Sequence, residues 1–353
     1  MKDNINEKLR KIFKNAEGID KLLLFNTSMQ DPNFKYLTGF TSGLFEDTVT
    51  IVDRRSVKVY SSPLEYGDAK RQVMEPVKVV LVNDGKKFKK DLGGELHGKA
   101  IGINGNMMPY AIFKRLKKYK PRKIIDVSEA LASARQTKSA YEVRQMRSAA
   151  SITKKAMAMI QRYLKEGVTE LEIASKFDEI SMRLGSEKPS FSTIVCFGAN
   201  AAYPHHAPDK TKLGKGDMVL IDAGATVKNY CSDISRTFIF GKGSRYKEKA
   251  RIIEVVRETQ LKAISAAKAG FGRLDLHNLA KENIDSADNS KYKGKFIHGL
   301  GHSLGIEVHD SSTSKKLIDG MVTTIEPGIY VEGLGGARIE DDIFITKKGH
   351  IVL

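Results

Sequence analysis

The sequence predicts an α/β domain followed by a longer α+β domain, and two observations carry that prediction. Residues 1–125 alternate short apolar runs with polar, helix-forming ones, whereas the remainder opens with helices and gathers its strands late. At 353 residues the chain also exceeds what a single hydrophobic core usually serves. In the first stretch Lys21–Phe25, Thr48–Val52, Val57–Tyr60, Val77–Val82 and Ala100–Ile103 read as strands, being rich in Val, Ile and Leu and bounded by turn residues. Glu65–Met74 and Tyr110–Tyr119 read as helices between them. Residues 126–138 read as a linker, and 139–353 as the second domain.

The second domain is punctuated by caps. Ser139-Ala140-Tyr141-Glu142 places a hydroxyl three residues before an acid, a capping box that opens a helix to about Glu166, where Gly167 stops it. Thr169-Glu170-Leu171-Glu172 repeats the pattern and opens a helix to about Leu184. A third helix covers roughly Tyr246–Ala269 before Gly270. Strands are expected at Thr193–Phe197, Met218–Asp222, Thr237–Phe240, Val322–Tyr330 and Arg338–Thr346.

Composition narrows the function classes. Hydrophobic residues make up 41% and charged residues 29%, as in a soluble globular protein. No apolar run approaches the roughly 20 residues that span a bilayer, and the charged start Met1-Lys2-Asp3-Asn4 reads as no signal peptide. Cys196 and Cys231, the two cysteines, fit no metal or redox spacing, which points to a reduced, cytoplasmic setting. The net charge is +17, with 25 Lys and Arg against 14 Asp and Glu in residues 1–125. A basic surface can bind nucleic acid, but no zinc finger, RNP-like motif or aromatic interleaving accompanies it, so a solvated lysine-rich face is the plainer reading. Walker-type and His-Glu-x-x-His motifs are absent from the sequence.

The late strands carry the unusual residues. Met218-Val219-Leu220-Ile221 runs into Asp222, and Asp233 follows eleven residues on beside a second strand. Glu326 closes an apolar strand, Glu340 lies between apolar neighbours, and His302 sits in the glycine-rich stretch Gly299–Gly305. Taken singly each has a bland role: a turn cap for Asp222, a pair with Arg236 for Asp233, a core position for His302. Together they pose a charge problem, because a carboxylate in a core strand is costly unless paired and neighbouring carboxylates raise one another's pKa. Two divalent cations would balance four carboxylates, and carboxylate oxygens with one imidazole suit Mn²⁺, Co²⁺, Fe²⁺ or Zn²⁺.

These words resemble a known family. Ile221-Asp222-Ala223-Gly224, Ser232-Asp233-Ile234-Ser235-Arg236-Thr237, His298-Gly299-Leu300-Gly301-His302, Thr324-Ile325-Glu326-Pro327-Gly328-Ile329-Tyr330 and Arg338-Ile339-Glu340-Asp341 are similar to the motifs of X-prolyl peptidases with the pita-bread fold. That group includes prolidase, aminopeptidase P and their relative methionine aminopeptidase. Asn200–His206 and Tyr36-Leu37-Thr38-Gly39-Phe40 extend the likeness, the latter toward the family's creatinase-like N-terminal domain. The resemblance implies a pita-bread catalytic domain behind a smaller α/β domain. It implies two divalent metals per subunit, Mn²⁺ or Co²⁺ foremost. Asp222 and Asp233 would hold one metal, His302 and Glu326 the other, with Asp233 shared and Glu340 bridging.

By the same resemblance Glu326 moves the proton, His205 and His309 steady substrate and developing charge, and Arg338 stands beside the site. The implied reaction is hydrolysis before proline. Chain length favours prolidase acting on X-Pro dipeptides over aminopeptidase P, and a catalytically silent relative that binds protein or nucleic acid would be expected to have lost ligands. A homodimer and no membrane association are implied too. One departure stands out: after His309 the family usually continues with a Pro-containing, often Arg-bearing segment, whereas this chain reads Asp310-Ser311-Ser312-Thr313-Ser314-Lys315-Lys316.

Overall fold

The structure, a computed structural model, describes residues 4–353, which form two compact units meeting between Arg135 and Gln136. The first unit holds a six-stranded mixed sheet. Its strands are β1 (Lys21–Phe25), β2 (Val49–Val52), β3 (Val57–Ser61), β4 (Val77–Leu81), β5 (Ala100–Ile103) and β6 (Lys123–Asp126), in the order β4-β3-β2-β1-β5-β6. Only β1–β2 and β2–β3 pair antiparallel; β3–β4, β1–β5 and β5–β6 are parallel and need crossovers. The helices are α1 (Ile5–Asn15), α2 (Pro32–Thr38), α3 (Pro63–Gln72), α4 (Gly85–Leu96), α5 (Tyr110–Leu116) and α6 (Ser128–Gln136). Leu23, Ile51, Leu92, Leu96, Ile101 and Leu116 close one core against the sheet.

One difference from the sequence reading has a simple cause. The segment 126–138, expected as a linker, carries helix α6, which buries Ala130, Leu131 and Ala134 along one face. Its short Ala-rich stripe is too weak a periodic signal to stand out in the sequence. The lysines of the stretch from Lys86 to Lys90 are exposed, as a solvated face requires, and the stretch is helical because Asp84 accepts from the Lys86 and Lys87 amides and caps α4.

In the second unit both capping boxes form. Ser139 and Glu142 exchange side-chain-to-backbone bonds at the start of α7 (Ala140–Ile160), as do Thr169 and Glu172 at α8 (Glu170–Arg183). The strands β7 (Ile194–Phe197), β8 (Met218–Ala223), β9 (Thr226–Val227), β10 (Tyr230–Cys231) and β11 (Ile234–Ile239) follow, with β8 central between β7 and β11. Helices α9 (Tyr246–Ala266) and α10 (Arg273–Ser290) intervene; α10 leaves helical geometry at Ala287, Asp288 and Asn289.

The chain ends in β12 (Val322–Ile325), β13 (Gly328–Val331), β14 (Gly335–Arg338), β15 (Asp341–Ile345) and β16 (His350–Val352). The runs expected as single strands over 322–330 and 338–346 are each broken in two. Glu326-Pro327 interrupts the first, since proline cannot donate to a ladder, and Ile339-Glu340 interrupts the second. Both interruptions fall on an acid of the candidate site. Apolar side chains of α9, α10 and the final strands, among them Val255, Val256, Ala280, Ile284, Ile325 and Ile343, form one extended core.

Candidate metal centre

The acids arrive on adjacent strand ends. Asp222 lies near the end of β8, directly opposite Ser235 of β11. Asp233 immediately precedes β11, Glu326 follows β12, and Glu340 separates β14 from β15. Glycine makes the approach of the His302 loop possible: a Cβ at Gly301 would run into the Thr324 carbonyl, so only glycine lets this loop lie against β12. The loop is then pinned by two bonds: Thr324 N–H donates to the His302 carbonyl at 2.9 Å, and His302 N–H donates to Thr324 Oγ1 at 3.1 Å.

The resulting basin is compact. His302 Nε2 lies 3.5 Å from Asp233 Oδ2 and 3.4 Å from Glu326 Oε1. Candidate ligand atoms of Asp233, His302 and Glu340 all fall within 4.8 Å of one another. Glu340 Oε2 accepts from the Ser235 hydroxyl at 2.7 Å, and Glu326 Oε1 accepts from Thr324 Oγ1 at 3.2 Å. Asp222 Oδ2 accepts from Arg338 Nη2 at 2.6 Å.

Electrostatics explains what the basin asks for. Burial, then the charges of Glu340 and Asp222, pushes the Asp233 carboxyl well above the usual range. Burial and then Glu326 and Asp222 do the same to Glu340, and burial pushes Glu326 up to about 7. His302 is pulled down to about 4 by burial and by the neighbouring His309, so its imidazole is neutral at pH 7 and free to act as a ligand. Three carboxylate oxygens, Asp222 Oδ1, Asp233 Oδ1 and Glu340 Oε1, are buried with no hydrogen-bond donor. Arg338, on Asp222, is the one Lys or Arg side chain bonded to any of these four carboxylates among the described residues. Unpartnered acceptors converging on shared space, with an excess of negative charge and a neutral imidazole, fit divalent cations.

The structure brings Asp222, Asp233, His302, Glu326 and Glu340 together as a single group. His309 is exposed and meets the His302 ring edge-on, with ring centroids 4.2 Å apart. His205 is exposed on the loop after β7, near enough to His298 to help keep that imidazole neutral. Arg338, expected beside substrate, is only 3% exposed. Its guanidinium is spent on Asp222, Ser235 Oγ (2.9 Å), the Tyr330 hydroxyl (2.8 Å) and the Pro204 carbonyl (3.4 Å). Burial forces those donors onto internal acceptors, which makes Arg338 part of the wall.

Other residues of the site were not singled out from the sequence. Asp342 is fully buried, and its Oδ2 accepts from the Asp233 amide at 3.2 Å, fixing the backbone of that acid. Ser235 bonds both Glu340 and Arg338. His298 Nε2 and the Tyr330 hydroxyl lie 2.8 Å apart. The available signal was spacing: His298 precedes His302 by four residues in the glycine-rich stretch, and Asp342 follows Glu340 by two.

A mixed-sheet domain followed by a helix-and-strand domain whose strand ends gather four acids and a histidine defines a metal-dependent hydrolase of the pita-bread class. The model of metallopeptidase family M24 matches residues 144–347, and that of the creatinase/prolidase N-terminal domain matches residues 6–137. A Pyrococcus horikoshii Xaa-Pro dipeptidase is 34% identical over 98% of this chain and 96% of its own length. Among solved structures, an Xaa-Pro dipeptidase from Bacillus anthracis superposes with a TM-score of 0.85 at 29% identity, covering 99% of this chain and 96% of the other. An X-Pro aminopeptidase from Thermotoga maritima gives 0.86 at 28% identity, covering 98% and 96%. This chain belongs to metallopeptidase family M24 and carries the family's creatinase/prolidase N-terminal domain.

Proposed function

We propose that this metallopeptidase hydrolyses the bond before proline in X-Pro dipeptides, using two divalent metal ions held by Asp222, Asp233, His302, Glu326 and Glu340. The observation that carries the reading is the convergence of buried, donor-less carboxylate oxygens from Asp222, Asp233 and Glu340 beside a neutral His302. Relatives named as Xaa-Pro dipeptidases along nearly the full chain supply the substrate class. Bound metals would provide a water acidic enough to ionise near neutral pH and would polarise the scissile carbonyl.

The chain's own groups do the rest. Glu326, whose carboxyl lies close to neutrality before metal binding, is placed to take a proton from water and hand it to the leaving nitrogen. His309, packed on His302, and His205, near His298, stand at the rim as donors to the oxygen on which charge develops. Arg338 and Ser235 hold Asp222 and Glu340 in place from behind. Proline suits such a site, because its amide nitrogen has no hydrogen for a backbone-gripping peptidase to hold.

Mn²⁺ and Co²⁺ are the metals we favour, since the set is mostly oxygen with one nitrogen and no thiolate. We place the protein in the cytoplasm, consistent with its two free buried cysteines, and expect the homodimer that the family resemblance implies. The test is turnover by Mn²⁺- or Co²⁺-loaded protein of Ala-Pro and Leu-Pro against the tripeptides Ala-Pro-Ala and Leu-Pro-Ala. The proposal expects dipeptide cleavage; cleavage of tripeptides alone would make the enzyme an aminopeptidase, and cleavage of neither would overturn the assignment.

A further inference from the structure

The second unit contains a cavity of about 270 Å³ whose chemistry the metal site does not use. Leu276, Leu300, Leu317 and Ile325 supply apolar walls, and Arg273 and His277 of α10 supply polar ones. At a liquid-water share of about 30 Å³ per molecule, it has room for roughly nine heavy atoms.

Arg273 is the informative residue. It is half-buried, and its side chain makes a single bond, from Nη1 to Ser303 Oγ at 3.3 Å. Burial alone pulls its guanidinium below the ordinary value, with no carboxylate close enough to oppose the effect. Asp275, the acid of the helix's first turn, lines a different surface hollow. His277, one turn along α10, has a buried Nδ1 with no hydrogen-bond partner. The N-cap of α10 is Gly272, and the Asp275 carboxylate folds back against it, so the positive end of the helix is already met by an acid. A desolvated guanidinium with most of its donors free and an unmatched imidazole nitrogen thus meet at one apolar cavity.

We propose that this cavity binds a small aliphatic monocarboxylate, its two oxygens on Arg273 and its hydrocarbon between Leu276, Leu300, Leu317 and Ile325. Charge-assisted bidentate pairing would satisfy the guanidinium, and the apolar walls favour a carbon chain over a hydrated ion. Inorganic phosphate would leave its remaining oxygens facing leucines. An amino acid would bring an ammonium group among Arg273 and Lys281, whose charge already acts on His277. The ligand class therefore differs from the dipeptides of the metal site and from their products. The cavity also touches Gly301, Thr323 and Thr324, and Arg273 holds Ser303, the residue after His302. An occupant would draw the guanidinium from Ser303 and bear on the loop that carries His302.

The experiment is calorimetric titration of full-length, Mn²⁺-loaded protein with hexanoate, hexan-1-ol and inorganic phosphate, on wild type, Arg273→Gln and Arg273→Lys. The expected result is saturable hexanoate binding at one per chain below about 10 mM, at least about ten-fold tighter than either hexan-1-ol or phosphate. Arg273→Gln should weaken hexanoate at least about ten-fold while Arg273→Lys, which keeps the charge but not the fork, falls between. The comparison of hexanoate with hexan-1-ol on wild type stands even if a variant folds poorly. Absence of saturation, equal binding of the alcohol, or hexanoate binding untouched by Arg273→Gln (as direct coordination to the metals would give) overturns the proposal. None of these readouts depends on peptide hydrolysis.

Discussion

Replacing Ser235 by alanine should damage the metal centre without touching a metal ligand. The Ser235 oxygen is fully buried, donates to Glu340 Oε2 at 2.7 Å and accepts from Arg338 Nε at 2.9 Å. Hydrogen bonds to charged groups contribute about 1.5–3 kcal/mol each, and Ser235→Ala leaves a buried guanidinium nitrogen without an acceptor. A net loss of about 3 kcal/mol follows for the metal-free protein, or roughly 6–12 °C in Tm at about 2–4 °C per kcal/mol for a domain of this size. Glu340 would also lose its orientation, and removing such a supporting group typically lowers metal affinity about 10- to 100-fold. Thermal melts and Mn²⁺ titration calorimetry would measure the two effects. Thr259→Val is the control: its hydroxyl, equally buried, bonds Val255 and Asn283 in the helical layer, so stability should fall while metal affinity holds. If Ser235→Ala bound Mn²⁺ as tightly as wild type, the claim that this hydroxyl orients Glu340 toward metal would be refuted.

Three further outcomes are expected. Asp233→Ala and Glu340→Ala should each reduce Leu-Pro turnover by more than about a thousand-fold, whereas Cys231→Ser, at a buried thiol that donates to the Ile306 carbonyl, should stay near wild type; kcat measurements under saturating Mn²⁺ would distinguish them. Stripping with chelator should lower Tm, because buried acids are left facing one another, and re-addition of metal should restore it; an unchanged melt would contradict a resident buried site. Metal uptake should also release protons. Glu326, raised to about 7, keeps most of its proton at pH 6, burial and mutual repulsion push Asp233 and Glu340 in the same direction, and His302, lowered to about 4, holds none. Release measured in weak buffer should therefore include about one proton from Glu326 at pH 6 and less by pH 8, as Glu326 ionises beforehand; release that grew with pH would contradict the assignment.

What the sequence revealed and what it concealed follow from the range of the interactions. The caps of α7 and α8 are local, so Ser139, Glu142, Thr169 and Glu172 announced both helices. Lys21–Phe25 and Ala100–Ile103 were legible because buried parallel strands are short and almost wholly apolar. The five convergent residues stood out because acids interrupt apolar strands, a conflict that only a cation or a partner resolves. Helices α1, α2, α4 and α10 were not foreseen, since polar residues dilute their apolar stripes and their packing is decided by tertiary contacts. The roles of Ser235, Asp342, His298 and Arg338 arise from pairings across about 30 to 110 positions in the chain, such as Asp233 with Asp342 and Ser235 with Arg338, which no local pattern encodes. Arg338 shows the limit most clearly: its place in a motif suggested substrate, and only its buried partners reveal that it braces Asp222.

The central claim is that a pair of cations is caged by Asp222, Asp233, His302, Glu326 and Glu340. Anomalous diffraction from crystals grown with Mn²⁺ tests it most directly. Two peaks should appear per chain, both within bonding distance of Asp233 or Glu340, with His302 and Glu326 on one of them and Asp222 on the other. A basin without anomalous density at saturating Mn²⁺, or peaks bound only by surface carboxylates, would contradict the account.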